Sequence, residues 1–196
     1  MGAITSPSWP GERELSRTEA GPETSPAIHI RRATLDDAAA LAELAARTFR
    51  DAFGADNTPE DLERHLKRSY GLSQQSAELA NPGMTTLLAD HADIPIGYVQ
   101  LKSGPPPGSV IGNSPFEIMR FYVDQAWHGR GVAHHLMMET IAEARRQGAG
   151  TLWLGVWERN PRAIAFYRKW EFTPTGSTIF CVGNDRQNDL VMVRAL

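Results

Sequence analysis

The sequence predicts one α/β domain: a mixed, mostly antiparallel sheet of about six to seven strands with helices on both faces. Three observations predict it. First, period-two and helical patterns of apolar residues alternate along the chain in the order β–α–α–β–β–β–α–β–α–β–β. Second, short polar turns join some strands, which makes antiparallel hairpins, while helices separate others, which makes parallel pairs. Third, the 196 residues are 41% apolar, enough for one core, with no internal repeat or linker dividing them.

Residues 1–26 are rich in Pro, Gly, Ser, Thr and Glu and show no periodicity. Such a composition cannot bury a core, so a disordered tail is expected, with Trp9 its one large apolar side chain. The domain is expected over residues 27–196. Ile28 and Ile30 alternate in a first strand. Thr34, followed by Asp36 and Asp37, has the chemistry of a helix start. Leu41, Leu44, Ala45, Thr48 and Phe49 then recur at helical spacing. Thr58-Pro59 opens a second helix with Leu62 and Leu66 inward, and residues 73–79 form a short third. Strands follow over 84–89 and 94–101, joined through Asp90-His91-Ala92-Asp93. After a stiff, Pro-rich loop come a strand ending at Val123, a glycine turn, and a long helix closed by Gly148. A strand over 151–157, a helix opened by Asn160-Pro161, and closing strands over 172–182 and 190–193 complete the chain.

Composition narrows the function classes. The net charge of −3 leaves no basic footprint for nucleic acid. No apolar run approaches the roughly 20 residues of a membrane span, and no basic–apolar leader pattern opens the chain. A cytoplasmic protein is expected. The single cysteine, Cys181, excludes an internal disulfide and reads as a small buried strand residue. The six histidines, His134-His135 among them, lack ligand spacing with Cys or carboxylates, so no metal site is expected.

The most informative segment runs from Phe116 to Leu136. A strand passes through Trp127-His128-Gly129-Arg130-Gly131 into the long helix. A helix start presents unpaired N–H groups and partial positive charge, which suits a pyrophosphate. Gly129 and Gly131 allow close approach or positive φ, and Arg130 adds a full charge. Neither the P-loop pattern nor the dinucleotide glycine pattern is present.

Taken with Val123-x-x-x-Trp127, the core His128-x-x-Gly131-x-Ala133 resembles the acyl-CoA loop of the GNAT superfamily of N-acetyltransferases, with His128 where Arg or Gln is usual. The later run Asn160-x-x-Ala163-x-x-Phe166-Tyr167 is similar to that family's strand–helix block, in family order. The resemblance covers about residues 28–196. A finer similarity, over Trp153-Leu154-Gly155-Val156-Trp157-Glu158, Thr48-Phe49-x-Asp51-x-Phe53 and the stretch ending Gln187-x-Asp189, is to bacterial spermidine/spermine N-acetyltransferases.

The resemblance implies a GNAT-type fold, acetyl-CoA as cosubstrate, a small-molecule primary amine as acceptor, and allows a homodimer. It implies that Phe121, Tyr122, Val123, His128, Gly129, Arg130, Gly131, Val132, Ala133, Asn160 and Lys169 serve acetyl-CoA binding. Asn160 is also an ordinary helix cap on local grounds. The resemblance makes Tyr167 the group that meets the leaving thiolate; its plain alternative is a buried aromatic beside Phe166. Period-two alternation puts Glu117, Met119, Phe121 and Val123 on one strand face, where some members carry a base. Glu117 is that base or an ion-paired strand residue. Glu158, at the end of the next strand, is the rival base or a cation-binding carboxylate, and Asp51 is a further carboxylate for amine recognition. The acceptor stays open: a polyamine, an amino acid, a peptide N-terminus or an aminoglycoside. From another class, a non-catalytic acyl-CoA sensor remains. One departure is Glu171, where the family usually has Gly; a positive φ there implies strain.

Overall fold

The computed structural model describes residues 27–183 and 185–196. The expected N-terminal tail, Trp9 included, lies outside the described residues. The sheet has seven strands: β1 (His29–Arg32), β2 (Met84–His91), β3 (Ile94–Ser103), β4 (Pro115–Val123), β5 (Thr151–Trp157), β6 (Thr173–Val182) and β7 (Asp185–Ala195). Among the described residues five α-helices accompany it: α1 (Ala38–Phe53), α2 (Pro59–Tyr70), α3 (Leu72–Ala80), α4 (Val132–Arg146) and α5 (Pro161–Lys169). The spatial order is β1-β2-β3-β4-β5-β7-β6. Every neighbouring pair is antiparallel except β4–β5.

Two strand pairings differ from expectation. β1 and β2 are antiparallel although helices separate them. A single helical crossover returns the chain to a strand's starting end; the three helices α1–α3 remove that constraint. β6 follows β5 through α5, yet β7 lies between them. β7 also begins earlier than residue 190, because its first residues are polar. Gln187 and Asp189 are buried and alternate with more exposed neighbours, so the period is present without an apolar signal.

Two large cores flank the sheet, beside a small cluster of Val110, Trp153 and Val191. One joins Leu136, Met137 and Ile141 of α4 and Phe172 to Val99, Ile118, Leu152 and Leu154. The other joins Leu41, Leu44 and Phe49 of α1 and Leu62 and Leu66 of α2 to Leu88, Tyr98 and Val182. Local chemistry sets the helix starts. Thr58 Oγ1 accepts from the N–H of Asp61 at 3.2 Å, with Pro59 in the first turn of α2. Cys181 is exposed, not buried, because β6 is the outermost strand of the sheet.

A bulge in β4 overturns the predicted face. Gln100 pairs with Arg120 but Leu101 with Ile118, so Met119 is the extra residue. The alternation therefore inverts there. Ile118, Phe121 and Val123 all pack on the α4–α5 core. Glu117 stays on the opposite face, with Arg120 and Tyr122 toward α1 and α2. It does not share a face with Phe121 and Val123.

Candidate active site

β4 pairs with β5 only from Pro115 to Glu117, opposite Thr151 to Trp153. From Ile118 onward the strands diverge, and β4 has no sheet partner on that side. The divergence opens a cavity of about 780 Å³, lined by β4, β5, α1, α5, β6 and β7. At the far end of β4, the chain turns into α4. Gly129 and Gly131 have φ of 76° and 82°, the left-handed region that glycine tolerates. Among the described residues, the N–H groups of Gly129, Gly131, Val132, Ala133 and His134 have no protein acceptor. They are free donors at a helix start. Val132 is fully buried, and its side chain belongs to the α4–α5 core.

The side chains around the turn are already engaged. Arg130 lies over the Trp127 ring, its guanidinium carbon 5.2 Å from the centroid. His128 holds Nε2 2.9 Å from the Val123 carbonyl oxygen and Nδ1 3.1 Å from Arg162 Nη1. Arg162 has only donors, so Nδ1 accepts, and Nε2–H donates to Val123. Both ring nitrogens are thus committed, and His128 presents no N–H to an anion. Arg162, in the first turn of α5, brings a cation that sequence reasoning overlooked. Its signal was its place immediately after the Asn160-Pro161 helix start.

Asn160 caps α5, its Oδ1 accepting from the Ala163 N–H at 3.0 Å, and it also lines the cavity. Tyr167 lines the same cavity between the rings of Phe121, Phe166 and Phe172. Burial alone pushes its phenol well above the usual tyrosine range. Burial also pushes the Glu117 carboxyl up, opposed by Lys102 and Arg120. Tyr122 stacks on Tyr98 with centroids 5.7 Å apart, and burial drives its phenol upward too.

The other expected carboxylates separate. Asp51 is exposed on α1 and lines the cavity. Glu158 is exposed, accepts from Asn188 Nδ2 at 2.7 Å and lies outside the cavity lining. Lys169 is exposed in the last turn of α5, also outside that lining. Instead the fold brings Asp189 of β7 into the wall. It is 8% exposed, and burial, then nearby Glu158, raises its carboxyl to about 6.

A second charged group in the wall is Arg120. It reaches Glu78 Oε2 and Gln100 Oε1, donates to the Ser69 carbonyl at 3.2 Å, and lies over Tyr70. This network ties α3 and the end of α2 to the bulged part of β4. Glu171, after α5, has φ of 63°, so the strain expected there is present. Its carboxylate pairs with Arg194 at 3.0 Å.

The architecture is that of an acyl-transfer enzyme. A family model described as the acetyltransferase (GNAT) family matches residues 39–172. An uncharacterized N-acetyltransferase of Mycobacterium bovis is 33% identical over 162 residues, covering 83% of this chain and 99% of its own. One of Lactobacillus delbrueckii subsp. lactis is 30% identical over 153 residues, covering 78% and 88%. The PaiA N-acetyltransferase of Thermoplasma acidophilum, solved in complex with coenzyme A, shares the fold with a TM-score of 0.68. It is 20% identical, and the match covers 87% of this chain and 99% of that one. The chain belongs to the GNAT acetyltransferase family, and so to the acyl-CoA-dependent N-acetyltransferases. Among the described residues, no helix is long and apolar enough to cross a membrane.

Proposed function

We propose that the protein moves the acetyl group of acetyl-CoA to a primary amine of a small cationic molecule, by direct attack while both are bound. One observation carries the reading: the unpaired edge of β4 links a turn of free N–H donors to a cavity walled by Tyr167 and several carboxylates. The N–H groups of 129 and 131–134 suit a pyrophosphate, with Arg130 and Arg162 as flanking cations. The open edge of β4 near Phe121 and Val123 suits an amide-bearing arm that adds like a strand. A strand N–H near Phe121 polarises the thioester carbonyl.

The chemistry then needs two proton transfers. An ammonium must lose a proton before its nitrogen can attack. The sequence pointed to Glu117 for this role, directly or through water, and Asp189 is a second carboxylate in the same wall. The departing thiolate needs a proton, and in this reading Tyr167, which lines the cavity, supplies it. A phenol held neutral by its surroundings is a donor at neutral pH.

Polyamines are the first acceptors to try, because Asp51, Asp56, Glu117 and Asp189 all line the cavity. Thiol release from acetyl-CoA, measured with spermidine, a monoamine of similar length, amino acids, a peptide and an aminoglycoside, tests the reading. Faster turnover of spermidine than of the monoamine supports carboxylate recognition of a second charge. Equal rates move the amino-acid or peptide reading ahead. Acetyl-CoA binding without thiol release for any amine would favour a sensor.

A further inference from the structure

We propose that Asp189 is the carboxylate that receives the reacting ammonium group of the acceptor and takes its proton. The inference rests on the acetyltransfer reading above and assigns the base within it. Asp189 stands opposite Trp157 at the end of β5. Its side chain leans back over Gly155: a Cβ built on that glycine would meet Asp189 Oδ2 at 3.3 Å and its Cβ at 3.7 Å. Gly155 thus leaves the space that the carboxylate occupies. It lies two residues past Trp153, the last residue of β5 to pair with β4. The carboxylate therefore stands one strand beyond β5, at the level where β4 and β5 have separated, and shares the cavity wall with the open part of β4, where the thioester is placed in the proposed reaction.

Its environment calls for a cation. Asp189 Oδ1 is buried and has no hydrogen-bond partner among the described residues. No ion pair with Asp189 occurs among the described residues, and the charge acting on it is that of another acid, Glu158. A buried, unpaired carboxylate is costly, and an entering ammonium removes that cost.

The charged groups around the cavity are otherwise placed. Glu117 already has Lys102 and Arg120 acting on it. Arg120 is tied to Glu78. Arg162 is engaged with His128. Asp51, Asp56 and Arg159 are exposed. Burial holds the imidazole of His65 down at about 4, so it is neutral at pH 7. The β6 residues in the wall, Thr178, Ile179 and Phe180, carry no charge. A carboxyl near 6 is largely ionised at neutral pH and still basic enough to accept a proton.

The step balances. The ammonium gives one proton to Asp189, which later passes it to water. The freed nitrogen pair attacks the carbonyl carbon, and an N–C bond forms. Collapse breaks the C–S bond, and its electron pair leaves on sulfur. The second proton shed by nitrogen ends on that sulfur, through Tyr167. Amide, thiol and one proton result.

The test uses the full chain and its Asp189→Asn variant, with thiol release followed from about pH 5 to about pH 9. Wild-type kcat/KM should fall on the acid side of about 6. The variant should lose that limb and about 10²-fold in kcat/KM at neutral pH. Its affinity for acetyl-CoA, read by tryptophan quenching, should not change. A second readout is independent of activity. The folded-state pKa is raised, so the charged carboxylate destabilises the fold above about 6 and that penalty vanishes below the unfolded value. Asp189→Asn should therefore melt higher than wild type at about pH 8, with the gain shrinking toward about pH 4. Gly155→Ala leaves the carboxylate intact but crowds it, and should also lower kcat/KM. An Asp189→Asn enzyme with wild-type kcat/KM and acid limb overturns the assignment, as does loss of the limb in Glu117→Gln alone. Wild-type turnover alongside either result leaves the acetyltransfer reading standing. No thiol release from wild type with any amine overturns that reading and Asp189's role with it.

Discussion

Replacing Arg120 by Met isolates the network that holds the cavity wall together. Arg120 and Glu78 are an ion pair whose side chains are 12% and 8% exposed. Removing the cation leaves Glu78 buried with Gln74 Nε2 at 2.8 Å and Gln100 Nε2 at 3.1 Å as donors, but with no countercharge from β4. Breaking a buried pair from one side costs about 3–5 kcal/mol. The two amide donors offset part of the loss, so the lower end is expected. In a domain of this size 1 kcal/mol moves the melting midpoint by about 2–4 °C, so Arg120→Met should melt about 6–12 °C lower. Circular dichroism during heating, with urea unfolding as a check, reads this directly. The double variant Arg120→Met/Glu78→Met removes both charges and keeps the volume. It should recover most of the loss, because an apolar pair in such a position is about neutral. A single variant that loses less than about 1 kcal/mol, or a double variant no more stable than the single, would refute the reasoning.

Three further outcomes are expected. Tyr167→Phe keeps the ring among Phe121, Phe166 and Phe172 and removes only the hydroxyl, so kcat should fall about 10²-fold with little change in KM for acetyl-CoA; a pre-steady-state measurement in which chemistry limits the rate checks this, and an unchanged rate removes Tyr167 from the reaction. Arg130→Glu puts a negative charge beside the free N–H groups and should weaken acetyl-CoA binding most strongly at low salt, as titration calorimetry at two ionic strengths will show. Asp37→Asn should destabilise the fold at neutral pH: the hydrogen bond from Arg31, opposed by burial, brings the Asp37 carboxyl down to about 2. That stability is present above the unfolded value near ~4 and is lost as pH falls through about 2, so urea titrations of wild type and variant should converge across that window.

Local chemistry made much of the fold legible. Pro59, Pro161 and Asn160 mark helix starts through fixed φ and a side-chain acceptor, and these act within one turn of the chain. Gly129, Gly131 and Gly148 mark positive φ for a reason that needs no neighbour. The Glu171 strain was legible only through the resemblance, because nothing local to a glutamate marks a positive φ. What failed were inferences that extended a local rule across the sheet. Period two along β4 broke at Met119, and an extra residue in one strand becomes visible only against its partner. The antiparallel β1–β2 pair depends on how three helices pack, which spacing does not encode. The exposure of Cys181 depends on β6 being the outer strand, a matter of strand order.

By itself, the sequence determined the elements, the turn of free donors before α4, and a family whose chemistry that turn serves. These rest on short-range forces: backbone sterics, capping and the burial of apolar stripes. Only the tertiary structure decided which side chains surround the cavity. It tied His128 to Val123 and Arg162, left Glu158 outside, and inserted β7 between β5 and β6. That insertion carries Asp189 over Gly155, 34 residues away along the chain by their numbering. Burial and the charge of Glu158 then set the proton affinity of its carboxyl, and both are properties of the assembled sheet.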